Sequence, residues 1–334
     1  MVSVAIAVVL RPAHWSLSSL PRVNAHTALG SIARDLDPGF ATVRHGAYDG
    51  QFYWGVAVDP LATGHVHAAF DKASYRYGHP LYGWAAWLLS GDSPERVPAA
   101  LVVVGVASLV AGTLIASRLG RARGSRGWEA LFVALNPGLI VAAAADLAEP
   151  LAAMLVVAAL AALTSGRLKA AWLCLALLPL AKEPLLVVVV AAVVWALISR
   201  RWRDAALFAT AILPAVAWWI YARVQLGGWF TTGTSALGAP FVGWRPAFDG
   251  DTGAALIAIL LALLAVAAIR AFRVRGPLEL AYLGLALFAA CLATNATAAF
   301  TTALRNTAFL VVLLPFVLSR RIGPAQPTET RSAG

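Results

Sequence analysis

The chain is poor in charge, in sulfur and in acidic residues. Of its 334 residues only 13% are charged, against 60% that are apolar. A soluble domain carries about 25% charged and about 45–50% apolar residues. A single hydrophobic core stops growing near ~250–300 residues, so a water-soluble chain of this length has nowhere to hide that apolar surface. The shortage of charge also excludes a disordered chain. The formal net charge is +10, but it does not describe a nucleic-acid-binding face. The basic residues sit in short runs between apolar segments, where a membrane protein keeps its cytoplasmic anchors. With only two cysteines there is no disulfide framework; Cys174 and Cys291 both lie inside apolar runs and read as small buried side chains. Internal repeats and low-complexity linkers are absent from the sequence. The class that remains is a polytopic, all-α membrane protein.

A spanning helix needs about 20 mostly apolar residues. Nine stretches qualify approximately: 98–117, 129–145, 149–165, 168–182, 184–199, 204–222, 252–270, 278–296 and 304–319. Their connectors fall into two groups that alternate. The connectors 117–127, 165–169, 199–203, 270–276 and 319–321 carry fourteen Lys and Arg. The others, 146–149, 181–184, 223–251 and 295–305, carry four. By the positive-inside rule the basic group is cytoplasmic and the second group faces outward. The expected fold is a transmembrane helical bundle of about nine or ten spanning helices.

The N-terminal region fits this scheme as an outer layer. The apolar run 2–10 is too short to span, and residues 1–20 read as a partial first transmembrane helix. Residues 21–97 read as an extracytoplasmic loop with interfacial helices, 98–319 as the bundle, and 320–334 as a disordered cytoplasmic tail. If HPLYGWAAWLLSG (79–91) spanned, every later basic connector would change side. It is therefore expected to lie along the interface, with Tyr77, Tyr82, Trp84 and Trp87 near the headgroups.

Ionisable groups at membrane depth are costly and are functional candidates by default. Asp146 and Glu149, three apart, share a helical face if a helix continues through them; otherwise they mark a tight turn. Lys182 and Glu183 precede Pro184 and read as substrate contacts, or as ion pairs with each other or with the Asp146/Glu149 turn. Arg305 opens the last helix and reads as an interface anchor or as a phosphate contact, for which a guanidinium fork is suited. Asp59 and Asp71 read as solvated loop acids, and His65 and His67 lack an evident third metal ligand. Asp49 stands among Tyr48, Gly50, Gln51, Phe52, Tyr53 and Trp54. A carboxylate beside a glycine can approach a substrate closely, and an ionised Asp can take a proton from an attacking hydroxyl. An Asp next to Gly is also a common turn.

The order YDGQFYW (48–54), SYRYGHPLYGWAAWLL (74–89), DLAEP (146–150) and LAKEP (180–184) resembles the polytopic GT-C glycosyltransferases. The nearest likeness is to bacterial integral membrane proteins distantly similar to GPI mannosyltransferases. Tyr75-Arg76-Tyr77 and Pro80-Leu81 match the outer-loop stretch of that class, and the likeness runs from about residue 40 to 320. The resemblance implies a GT-C-like fold in a bacterial plasma membrane, with the site on the extracytoplasmic side and a cytoplasmic C-terminus. It implies transfer of a hexose or pentose, mannose-type favoured, from a polyprenyl-phosphate sugar to a glycan, lipid or protein acceptor, with inversion. Asp49 is then the catalytic base. Tyr48, Gln51, Tyr53, Arg76, Tyr77, Asp146, Glu149, Lys182, Glu183, Arg245 and Arg305 are the expected substrate contacts, with Arg223 a further phosphate candidate. The only cofactor the class leaves room for is a divalent metal, Mg or Mn. The bilayer is an expected partner and nucleic acid is not. A transporter or flippase, or an inactive scaffold of the same fold, is the alternative.

Overall fold

The computed structural model describes residues 1–11, 15–231, 237–248, 251–274, 276–297 and 300–319. Residues 320–334, expected to be a disordered tail, lie outside the described residues. Every extended element among the described residues is helical; pairing in the β sense is limited to the isolated bridges Asn24–Val43 and Leu237–Leu292.

The bundle starts with α6 (Val97–Ala122) and ends with α16 (Phe300–Leu318). Between them come α9 (Glu149–Thr164), α10 (Leu168–Ala181), α11 (Leu186–Ile198), α12 (Trp202–Ala209) running through a 3-10 turn into α13 (Leu213–Leu226), α14 (Asp251–Val274) and α15 (Pro277–Ala290). Among the described residues, Pro94–Ala122, Trp202–Leu226 and Thr301–Leu318 are long and apolar enough to cross a bilayer. Shorter apolar helices pack between them, and the chain is an integral membrane protein. α9 packs between α6 and α10, α11 between α12 and α15, and α15 between α14 and α16.

The stretch 129–145 is not one helix, as its apolarity implied. It breaks into α7 (Leu131–Ala134) and α8 (Pro137–Ala143). Pro137 has no N–H and keeps Asn136 out of the helical region, at ψ 115°. Asn136 then satisfies the new helix start: its Oδ1 accepts from the Gly138 and Leu139 amides at 3.0 and 3.2 Å. Its Nδ2 donates to the Ala308 carbonyl of α16 at 3.1 Å. The break brings α8 against α16 so closely that a Cβ on Gly138 would lie 2.3 Å from the Leu304 carbonyl oxygen. Small residues permit such close approach inside a membrane.

At the basic end, Arg123 donates to the Phe316 carbonyl at 3.1 Å and pairs with buried Glu279 at 3.4 Å. That contact ties the last turn of α6 to the start of α15 and the end of α16. Glu129, fully buried, accepts from Ser125 Oγ at 2.5 Å in the turn that follows α6.

The N-terminal region forms a second layer on the opposite end. It holds α1 (Val2–Leu10), which touches α8, then α2 (Ala28–Leu36), α3 (Gly50–Val58), α4 (Ala73–Arg76) and α5 (Leu81–Ser90). Ten residues of α5 rise only ~15 Å, half a hydrocarbon core, so this helix does not span. The expected headgroup position of its aromatic residues needs correction for two of them. Tyr77 and Tyr82 are wholly buried, because their hydroxyls donate to the Asp59 and Leu101 carbonyls at 2.7 and 2.8 Å. Trp218 and Trp219 of α13 donate to the carbonyls of Tyr77 and Gly78 at 2.6 and 2.8 Å. Rings thus strap the layer to the bundle. Asp59 is not a solvated acid either: it is buried, it accepts from the Thr63 and Gly64 amides, and it pairs with His67 at 3.0 Å.

Gly138→Ala should lower the thermal midpoint of the detergent-solubilised protein, since its Cβ meets backbone rather than a movable side chain. Overpacking of this kind costs about 1–3 kcal/mol. An unchanged midpoint would show that α8 and α16 do not meet at Gly138.

Candidate functional site

A cavity of about 290 Å³ opens between the outer layer and the end of the bundle opposite Arg123. Helix ends bring its charges together. Glu149 is the first residue of α9, Lys182 follows the last of α10, and Arg305 lies in the first turns of α16. A carboxylate at a helix N-terminus and an ammonium at a C-terminus both suit the helix dipoles. Asp49 is the N-cap residue of α3, yet its carboxylate caps nothing. It turns instead toward two guanidiniums.

Asp49 Oδ1 accepts from Arg76 Nη1 at 3.0 Å, and Oδ2 from Arg305 Nη1 at 3.2 Å. Arg305 Nε lies 3.2 Å from Glu149 Oε1, which also takes Lys182 Nζ at 2.5 Å. Arg76 is forked on Asp71, at 3.1 and 3.2 Å, and its Cζ rests 3.7 Å over the Phe52 ring. His79 Nδ1 and Glu183 Oε2 are 2.9 Å apart, without the alignment of a hydrogen bond. Burial alone would raise the Asp49 carboxyl, but Arg305 and Arg76 outweigh it and hold it below its ordinary value. Burial pushes Tyr53 and Tyr75 up, with nearby carboxylates adding to the shift, so both phenols stay neutral. Lining cations (Lys72, Arg76, Lys182, Arg305) outnumber lining carboxylates (Asp49, Glu149, Glu183). The cavity therefore presents three cations, Arg76, Lys182 and Arg305, each held in place by a carboxylate.

Six of the residues singled out in the sequence meet here with Asp49's carboxylate at the centre: Tyr53, Arg76, Glu149, Lys182, Glu183 and Arg305. Tyr48 stands at the edge, its hydroxyl accepting from Arg305 at 3.2 Å. Five others do not reach the cavity. Gln51 turns outward, accepting from the Asn24 amide at 3.4 Å. Tyr77 is buried against Asp59, and Arg245 is exposed in the turn Val242–Phe248. Arg223, the further phosphate candidate, stacks on Trp229 at 4.2 Å instead. The fifth is Asp146. It does not share a helical face with Glu149, because the chain passes through it at φ +50° before α9 begins. Its side chain is wholly buried, and neither carboxylate oxygen has a partner.

Sequence reasoning passed over Lys72, His79, Thr302 and Asn306, which also line the cavity. His79 sits inside the quoted SYRYGHPLYGW stretch, and Asn306 adjoins Arg305. Adjacency to a selected charge was the available signal.

The donor set does not fit a divalent metal. Each lining carboxylate already faces a cation or an imidazole. No group of three or more His, Cys, Asp or Glu close enough to share an ion occurs among the described residues.

No protein-family profile and no curated protein matches the chain by sequence. Its structure aligns with that of ArnT from Cupriavidus metallidurans bound to undecaprenyl phosphate, with a TM-score of 0.52 and 17% identity. Against the apo state of the same protein the values are 0.48 and 15%. The fold is GT-C-like. In both alignments 95% of this chain is covered and 60% of ArnT, so the chain spans about three fifths of that protein's length.

Burial raises the Asp146 carboxyl well above its ordinary value of 3.8. The folded state therefore keeps a proton that the unfolded chain releases, and its penalty grows as pH rises above that ordinary value. Asp146→Asn, which tolerates positive φ, should raise the melting midpoint at about pH 7 and leave it unchanged at about pH 4. A gain equal at both pH values would show that Asp146 is not protonated in the fold.

Proposed function

We propose that the protein is a membrane glycosyltransferase that moves a sugar from a polyprenyl-phosphate donor to a hydroxyl acceptor. The observation that carries this reading is the convergence of Arg76, Lys182 and Arg305 on one cavity at a membrane-bundle end. A narrow apolar crevice continues from it between the Glu183–Leu185 turn, α15 and α16, lined by Leu185, Leu285, Phe309 and Leu310. Lys182 and Asn306 border both spaces. The crevice measures only about 10 Å³, so it gives the chamber an apolar edge rather than a tail channel, and an amphiphilic phosphate matches a cationic chamber with such an edge. The undecaprenyl phosphate held by the structurally similar ArnT supports the same class of ligand.

In this reading Arg305 and Lys182 hold the donor phosphate and stabilise the charge that develops on it as the glycosidic bond breaks. Attack from the opposite face inverts the anomeric carbon. The sugar is a hexose of mannose type, and the site faces the extracytoplasmic side. Asp49 serves chiefly to align both guanidiniums. Both its oxygens are engaged by Arg76 and Arg305, and a carboxylate with a lowered pKa is a weak base. Transport is the less suited reading: the cavity charges lie at one end, and Arg123 with Glu279 occupies the other.

The test is transfer of label from undecaprenyl-phosphate sugars to a membrane glycolipid extract, with lipid binding followed by native mass spectrometry. Arg305→Ala should weaken undecaprenyl phosphate binding by about 10–100-fold, the cost of one charged hydrogen bond or two. Asp49→Asn should lower transfer by about 10²-fold or more and leave expression intact. A wild-type protein that neither binds undecaprenyl phosphate nor transfers any sugar would remove this reading.

A further inference from the structure

His79 has the placement of a working base. It lies between Gly78 and Pro80 in the turn from α4 to α5, and its backbone is held on both sides. The carbonyls of Tyr77 and Gly78 are fixed by the Trp218 and Trp219 indoles of α13, and Pro80 fixes the next φ. The imidazole plane is set by Tyr53 of α3 and Tyr75 of α4, both edge-on at centroid distances of 5.7 and 5.4 Å. The ring is buried, with 10% of the side chain exposed, and it lines the same cavity as Asp49 and Arg305.

Its two nitrogens are not equivalent. Nδ1 is shut away from solvent and stands 2.9 Å from Glu183 Oε2. With Nδ1 beside Glu183 and the residue lining the cavity, Nε2 is the nitrogen left for a ligand. A carboxylate behind Nδ1 selects the tautomer with the proton on Nδ1 and the lone pair on Nε2, and it stabilises the imidazolium once Nε2 is protonated. Alignment of such pairs commonly tightens only when substrate is bound. The charged group against the ring is Glu183; Asp49, Lys72, Arg76, Glu149, Lys182 and Arg305 share its cavity, and Tyr53 and Tyr75 face it as neutral phenols.

We propose that His79, oriented by Glu183, is the base of the transfer reaction, an inference that rests on the transferase reading above. Nε2 takes the proton of the acceptor hydroxyl. The freed oxygen lone pair forms the bond to the anomeric carbon, and the bond from that carbon to the phosphate oxygen breaks. Its electron pair leaves on the polyprenyl phosphate, facing Arg305 and Lys182. The proton then passes from His79 to water. The assignment separates two tasks: Asp49, ion-paired to two guanidiniums, organises the cations, and the His79–Glu183 pair handles the proton. Glu183 is a positioning residue.

The test uses the full chain in lipid, undecaprenyl-phosphate mannose as donor and the glycolipid extract as acceptor. His79→Gln should lower kcat by about 10²–10⁴-fold, with donor KM and undecaprenyl phosphate binding within a few-fold of wild type. In wild type, kcat should fall at low pH as the base becomes protonated. Glu183→Gln removes the charge that favours the imidazolium, so the midpoint of that acid limb should move to lower pH, a change that loss of structure alone does not produce. Two results overturn the inference without touching the transferase reading. One is a His79→Gln protein that turns over within threefold of wild type. The other is an acid limb that stays in place in Glu183→Gln. A wild type that transfers from no donor in the wider panel, and does not bind undecaprenyl phosphate, overturns both.

Discussion

The two ion pairs of Asp49, to Arg76 and to Arg305, are the contact on which the rest of the arrangement depends. They join the outer layer to the bundle, and they continue in both directions. Asp71 lies beyond Arg76, while Glu149 and Lys182 lie beyond Arg305. The alternating row runs from the loop beside α4, through the start of α3, to the ends of α16, α9 and α10. Every member is desolvated to some degree, and each is tolerated because its neighbours carry the opposite sign. Removing one charge from such a row leaves another unpaired, so the row specifies how α3 and α4 sit on three helices of the bundle. The rigid backing beneath it is apolar and close. A Cβ on Gly50, the residue after Asp49, would lie 2.3 Å from the Ala145 carbonyl oxygen. The lack of a side chain there lets α3 start directly against the connection before α9.

The two ends of the bundle use charge differently. At the basic end Arg123 reaches a buried carboxylate and a helix carbonyl, and the contact closes that end. At the other end the charges pair across a cavity, with a small cationic surplus. The alternation of basic and non-basic connectors is the sequence counterpart of this difference. It follows from helices that run up and down in order, so successive helix ends fall on opposite sides.

Much of this was legible because a charge inside an apolar sequence is conspicuous. Glu149, Lys182, Glu183 and Arg305 stood out on that ground, Asp49 for its place beside Gly50 among aromatic residues and Arg76 through the family resemblance, and the structure gathers all six. The length of the apolar runs located most of the helices. What the sequence could not convey was facing. Asp146 lies three residues before α9 begins, on a left-handed turn, and its buried carboxylate does not line the cavity. Tyr77 and Gln51 carry groups that bond backbone as readily as substrate, and here they bond backbone. The interruption at Asn136-Pro137 was written in the sequence as a helix-start signal, but the apolar residues around it masked the break. His79 was missed because a histidine at the head of an apolar stretch carries no sign of its partner; only the fold sets it against Glu183, more than a hundred residues away.

The pairing pattern in the cavity divides its anionic groups by partner, and the partner decides what each can do. Asp49 and Glu149 face permanent cations, Arg76, Arg305 and Lys182. Those cations keep the carboxylates ionised, and in turn the carboxylates fix where positive charge is presented. Glu183 faces an imidazole rather than a permanent cation. An anionic ligand entering the chamber would compete with Asp49 and Glu149 for the guanidinium and ammonium donors, relaxing those pairs, but it would leave the His79–Glu183 contact intact. Charge binding and proton transfer are thereby assigned to separate residues, so a shift in one need not disturb the other. That separation is what a site requires if it must hold a phosphate firmly and still accept a proton from a neutral hydroxyl beside it.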